Sequence, residues 1–365
     1  MFVISNQRWK DDLQMKETLK RLSKRYLIDA MGAMAFGLFA SLLIGTIFNA
    51  LGMIPGLGIL KQIGGVGASV AGPAMAVAIA YSLKASPLVI YSCALVGYLA
   101  NTQGGAGGPL AVLIIAIIAA EVGMLVSKKT KVDILVTPFV TILVGGLLSI
   151  WCAPYIGKAV GVVSSFISFS MTCQPFVMGI LVSVVVGIAL TLPISSAAIC
   201  AALALSGAAT GDAGLALAGG AAVAGCCAQM VGFAVMSFKE NRWSGLVSQG
   251  IGTSMLQMPN IIRNPRIWIP TILASAVTGP LATCVFHMRM YGAAINSGMG
   301  TCGFLGPVGI ILGWFDPVYP DQVTAVDWIG LILICFVLPA VLSLLFTVLL
   351  RKIGWIKDGD MKLPE

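Results

Sequence analysis

Charge is scarce in this sequence. Asp, Glu, Lys and Arg make up 10% of its 365 residues, against roughly 25% in soluble domains. So few polar groups cannot cover a water-facing surface, which excludes a soluble globular protein. Histidine is scarcer still. His287 is the only one, and one histidine cannot build a metal cluster. The 14 acids are scattered, with no paired carboxylates, no nucleophile elbow and no G-K-[ST] after a glycine run. No catalytic site is therefore expected on this chain, and no cofactor or metal. The nine cysteines, Cys93, Cys152, Cys173, Cys200, Cys226, Cys227, Cys284, Cys302 and Cys335, form no C-x-x-C pair. Most sit in apolar stretches and read as small buried residues.

What is abundant is apolar length. Hydrophobic residues reach 58%, and the runs repeatedly attain the ~18 to 20 residues that cross a bilayer core. The fold class is an all-α polytopic membrane protein. About ten crossings fit, over 27–50, 67–83, 86–100, 109–126, 134–151, 175–192, 194–208, 214–236, 267–286 and 327–350. Residues 1–26 hold Lys10, Lys16, Lys20, Arg21, Lys24 and Arg25 and read as a surface amphipathic helix. They lack the cleavage-type end of a signal peptide. The membrane body then spans 27–350, and 351–365 form a tail.

The net charge of +8 is not a nucleic-acid signal. Basic residues cluster at 127–131, 238–242 and 263–266 and in the tail with Arg351, Lys352 and Lys357. The alternate loops, including 152–174, carry Lys61 and Lys158. That asymmetry places both termini in the cytoplasm.

Two regions make poor simple spans. Residues 244–266, SGLVSQGIGTSMLQMPNIIRNPR, are polar and broken. Residues 291–315 hold seven glycines and Pro307. Within them Gly298, Gly300 and Gly303 spell G-x-G-x-x-G, with Asp321 further on. That pattern signals a dinucleotide site only between a strand and a helix of a soluble unit. In an apolar chain, irregular backbone at membrane depth persists only where it is buried in protein or lines a watery cavity. Residues 291–315 therefore read as a re-entrant hairpin whose Asn296, Ser297 and Thr301 face a solute. Glycine clusters ending in Gly-Pro at 64–73 and 101–109 echo Gly306-Pro307, a hint of an internal repeat.

Ionisable residues within membrane segments are costly and stand as functional candidates. Glu121 reads as a hydrogen-bonding group or proton carrier, or as a residue that snorkels to the interface or pairs with a lysine. His287, with Arg289 close behind, reads as a solute contact or as a structural residue; Asp212 reads as an outer-loop residue. The remaining polar groups in broken segments are neutral: Asn101, Thr102, Gln103, Thr253, Gln257, Asn260, Asn296 and Thr301. Such groups suit an uncharged polyhydroxylated solute, because each pairs with a hydroxyl without burying net charge. They equally cap helix ends.

The run QGIGTSMLQMPNIIRNPRIWIPTILASAVTGPLATCVF, residues 249–286, followed by NSGMGTCGFLGP, resembles the membrane-embedded EIIC components of the bacterial phosphotransferase system. More narrowly it resembles the branch that includes the perfringolysin-regulator proteins. The resemblance extends over about 27–350. It implies a homodimeric inner-membrane transporter holding one sugar-like solute between re-entrant hairpins and helices, working with phosphocarrier IIA and IIB. The sequence departs from glucose-type relatives in having no Gly-Ile-Thr-Glu type motif; GIGTSMLQ, residues 250–257, is its counterpart and has no acid. No IIA or IIB domain is expected within these 365 residues. Two functions follow: a permease for a neutral sugar-like solute, or a membrane sensor or regulator that keeps the fold without phosphorylation-coupled flux. A channel would call for charged rings or a carbonyl filter, and neither is seen.

Overall fold

The computed structural model describes residues 17–18, 21–52, 56–208, 211–315 and 322–363. Most of the surface segment expected at 1–26 (residues 1–16, 19 and 20) and Asp321 lie outside them. Among the described residues every element is helical.

In chain order these are α1 Arg21–Asn49, α2 Gly58–Ser69, α3 Ala71–Ser82, α4 Pro87–Gly104, α5 Gly108–Val126, α6 Asp133–Trp151, α7 Ala153–Ser170, α8 Pro175–Thr191 and α9 Ser196–Ala202. They continue with α10 Ala213–Met236, α11 Phe238–Val247 and α12 Met258–Arg263, then α13 Pro265–Val285, α14 Leu305–Trp314 and α15 Ala325–Lys352. Among the described residues six helical runs are long and apolar enough to cross a membrane, or seven if α2 and α3, bent by 50° at their junction, count as one. One of the six, Pro87–Val126, is α4 and α5 together. Gly105, at φ +52°, reverses the chain between them, a backbone that glycine adopts without steric cost. The Ser86 and Ser127 hydroxyls then meet at 2.8 Å, so the arms run antiparallel.

α10 is the hub. Its sequence, AGLALAGGAAVAGCCAQMVG, offers almost no side chain beyond Cβ for half its length, so neighbours approach backbone to backbone. A Cβ on Gly225 would enter the Ser183 backbone of α8, and one on Gly220 would enter the Met288 carbonyl. α6 is the opposite case. It exposes Ile134, Leu135, Phe139, Leu143, Leu147 and Ile150, an apolar face suited to lipid.

Both ends of the described chain share one side of the molecule. Arg25 of α1 donates to the Leu83 carbonyl at 3.4 Å and pairs with Glu121 near the end of α5 at 2.7 Å. A cavity on the same side is lined by Ile28 and Asp29 together with Gly359, Lys362 and Leu363.

Two expectations are corrected. Residues 194–208 are not a crossing. They hold only the seven-residue α9, about 10 Å of helix, because Ser195 starts that helix as its cap while Ser196 and Ser206 bind the Gly298 and Gly292 carbonyls. Residues 152–174 are not a plain loop; most form α7, begun by Pro154 at its first turn. Within the expected tail, residues 351–363 pack onto the body. Ile356 and Met361 are 2% and 0% exposed and belong to the main core.

Candidate functional site

Four interruptions of helix converge near the middle of the fold. The first is the turn at 105–109. The second is the break before α9, where the Ser195 amide donates to the Ala106 carbonyl at 2.8 Å. The third is the stretch between α11 and α12, where Thr253 is extended and its hydroxyl caps Met255 at 3.1 Å. The fourth is the glycine-rich stretch. It runs through a tight turn over Ala294–Gly298, positive φ at Gly300, Gly303 and Phe304, and on into α14. The Gly306 amide returns to the Gly300 carbonyl at 2.9 Å. A Cβ on Gly313 would lie 2.9 Å from the Gly292 nitrogen, so the two arms of this stretch lie side by side as a hairpin.

Hydroxyls lock these segments together. Ser196 donates to the Gly298 carbonyl at 2.7 Å, Ser206 to Gly292 at 2.6 Å, Ser297 to Leu205 at 2.6 Å and Thr301 to Gly250 at 2.5 Å. Each satisfies a carbonyl that no helix uses, as burial demands.

The segments enclose a cavity of about 60 Å³, lined by Leu42, Leu43, Pro109, Leu190 and Ile194 with Ser195, Ser196, Thr253, Met299 and Cys302 among others, and by no charged residue. Its hydroxyls keep spare capacity. Ser195 accepts from the Ala198 amide at 3.2 Å and Thr253 accepts from Met255, so both O–H groups remain to donate. Ser196 donates, so its lone pairs remain to accept. Apolar walls with a few neutral donors and acceptors are the general form of a small-molecule site.

Next in the chain to the cavity residues Leu190 and Thr253, Thr191 and Ser254 enter a second polar layer. The Gln229 carbonyl oxygen accepts from Trp268 at 2.9 Å, Thr271 at 2.9 Å and Thr191 at 3.3 Å, and Thr191 meets Ser254 at 2.8 Å. This layer ties α8, α10, α13 and the third interruption into one body.

Of the residues singled out from sequence, Thr253 lines the cavity. Asn296, Ser297 and Thr301 are buried in the hairpin beside it. Gln257 and Asn260 are buried too, but they belong to a different cluster. Gln257 donates to Gln249 at 2.8 Å and to the Met361 carbonyl at 3.0 Å, and Asn260 donates to Gln257 at 2.8 Å and to the Lys362 carbonyl at 2.9 Å. The structure does not bring the other four to the cavity. Asn101 packs at the end of α4 against Gly72 and Gly108. Gln103 and His287 are exposed. Glu121 is held by Arg25 and, at 2.8 Å, by the Tyr26 hydroxyl, so its cation is an arginine where a lysine was expected. The sequence reading missed Ser195, Ser196 and Gln229, because each falls within or beside an apolar run that read as a plain span.

A family model described as Phosphotransferase system, EIIC matches residues 28–363. No curated protein and no solved structure matches the chain.

Proposed function

The chain belongs to the phosphotransferase-system EIIC family, and from that premise we propose that it is a permease for a neutral, sugar-like solute held at the cavity between the broken segments. Membership makes it a multi-pass membrane permease component of that system. The observation that carries the finer reading is the convergence of four helix interruptions on one uncharged cavity. A charged solute would have to be desolvated there without a counter-charge, at a cost of several kcal/mol or more. A sugar offers apolar C–H faces to the leucines and hydroxyls to Ser195, Ser196 and Thr253.

At about 60 Å³ the cavity has room for roughly two waters, not a hexose. The structure is read as a closed form, and the hairpin at 291–315, taken as re-entrant, as the part that moves. The same small cavity favours the second reading, a sensor or regulator that keeps the fold without flux. Under either reading we take the run 249–286 as similar to the branch with the perfringolysin-regulator proteins. The setting is the bacterial inner membrane with both ends cytoplasmic, as a homodimer, served by IIB and IIA phosphocarriers.

The test is a thermal-shift screen of the purified protein with neutral sugars, followed by uptake into proteoliposomes. A bound solute at a hundredfold excess over Kd adds roughly 2.7 kcal/mol of apparent stability. Binding with uptake supports the permease; binding without uptake supports the sensor; stabilisation by charged metabolites alone contradicts both.

A further inference from the structure

The second cluster of amides has an occupant. Past α15 the chain turns at Gly354, φ +80°, and residues 355–363 lie back across the side that holds both ends of the described chain, the near face. Five amide side chains receive or surround this segment. Asn264 donates to the Trp355 carbonyl at 3.1 Å and to the Asp360 carboxylate at 2.8 Å. Asn241 and Gln257 both donate to the Met361 carbonyl, at 2.8 and 3.0 Å. Asn260 donates to the Lys362 carbonyl at 2.9 Å. Asn241 also accepts from the Leu363 amide at 2.8 Å. Gln249 sits behind, donating to Ser237 and to the Gly245 carbonyl, both at 2.9 Å, and so fixes the Gln257 amide that it accepts from.

This is the pattern by which a peptide is recognised. Main-chain groups are read by fixed donors, and side chains fill pockets between them. Here Ile356 and Met361 are the buried anchors. Charge adds a latch, since Asp358 is bridged by Lys239 and Arg351, each at 2.7 Å, and Arg351 is in turn held by Glu240 at 2.7 Å.

The position of the segment gives it a role. Two cavities open beside it, of about 630 and 360 Å³, and Lys362 and Leu363 line both. Leu256 lines the smaller of the two, and its neighbour Met255 lines the inner cavity. Lys362 and Leu363 thus stand between the two vestibules, and the step from Leu256 to Met255 links the smaller vestibule to the inner cavity.

We propose that the cluster of Asn241, Gln249, Gln257, Asn260 and Asn264 is an intramolecular peptide site, and that residues 355–363 are a cap that must leave it before the inner cavity opens to the near face. The transport role of this cap rests on the reading of the inner cavity as the solute site. The seat itself does not. The Asp358 ion pairs are the exposed part of the latch, so they are where the cap is released without touching the core.

The experiment uses the full chain with its nine native cysteines replaced, in nanodiscs, with Thr253→Cys as a reporter and a small water-soluble maleimide as the probe. With the cap seated, labelling is slow. Asp358→Lys sets a cation against Lys239 and Arg351 and raises the labelling rate about tenfold, the factor that corresponds to ~1.4 kcal/mol of lost docking. Adding Lys239→Asp restores slow labelling, and so does an excess of a synthetic peptide of residues 353–363. Asp358→Asn gives the same change at smaller amplitude and serves if the lysine variant misfolds. Fast labelling with the cap seated overturns the proposal, as does a rate that neither Asp358 variant alters. If the cap controls labelling at position 253 but no sugar slows labelling of Ala197→Cys, a lining position with no assigned solute contact, the cap stands and the solute reading fails.

Discussion

Ser196 and Gly298 lie 102 residues apart in the chain, yet the serine hydroxyl donates to the glycine carbonyl at 2.7 Å, both groups fully inside the protein. The bond joins the short helix α9 to the hairpin, two pieces that no helical ladder connects. Ser196→Ala leaves that carbonyl without a partner and costs about 1–3 kcal/mol. A lower melting temperature together with weaker solute binding is expected. Unchanged melting would show that water takes the place of the hydroxyl.

Gly300 carries two constraints at once. Its φ is +52°, and a Cβ there would stand 2.7 Å from the Cys226 Cβ. Gly300→Val, β-branched and resistant to this backbone, is expected to abolish solute binding and lower stability by more than ~2 kcal/mol. Gly161 is the control, on α7 with open space around it. Gly161→Ala should leave binding intact and stabilise the helix by up to ~1 kcal/mol. Equal effects at the two positions would contradict the packing described.

Glu121 is an anchor in this structure. Its ion pair with Arg25 is partly exposed, at 32% and 42%, so it contributes at most ~1 kcal/mol. Glu121→Gln should lower stability slightly and leave solute affinity unchanged, read by thermal shift with and without sugar. A loss of affinity larger than the loss of stability would return Glu121 to the solute site.

Much of this was legible in the sequence, for a physical reason. Apolar runs from 86 to 151 fix helices of bilayer length and the run from 175 to 192 a shorter one of 17 residues, and the structure places their boundaries within a few residues of those expected. The broken character of 291–315 was legible because glycine and proline cost helix stability wherever they stand. The crossing expected at 194–208 failed because ISSAAICAALALS is apolar enough to span. Its fate is decided by carbonyls at Gly292 and Gly298 that its serines reach only in the folded state. Gln257 and Asn260 were legible as a polar pair in a broken segment, but their partner is main chain of residues 361 and 362, and main-chain partners leave no mark in a sequence. The apolar residues Trp355, Ile356, Met361 and Leu363 were the available sign that the end of the described chain is packed.

The latch at Asp358 has a pH signature. The Lys239 hydrogen bond and charge, with Arg351 beside them, hold its carboxyl below the usual carboxylate range. A depressed acid stabilises the docked state above its free value, about 3.9, and loses that effect as pH falls through the docked value. Trypsin cleavage at Lys357, divided by the rate for an unstructured peptide of the same sequence at each pH, should therefore be flat between pH 6 and 8, and salt should speed it by screening the exposed pairs. A steep change across neutral pH would assign the latch to another group.

The central claim is that solute occupies the cavity between the broken segments, and Ala197, which lines it, reports on this most directly. The measurement is the labelling rate of Ala197→Cys, in the cysteine-replaced protein, by a small water-soluble maleimide with and without the sugar that gives the largest thermal shift. The account predicts measurable labelling that saturating sugar slows at least tenfold, with half-protection at the Kd obtained from the thermal shift. A sugar that binds yet leaves the rate at position 197 unchanged would contradict it.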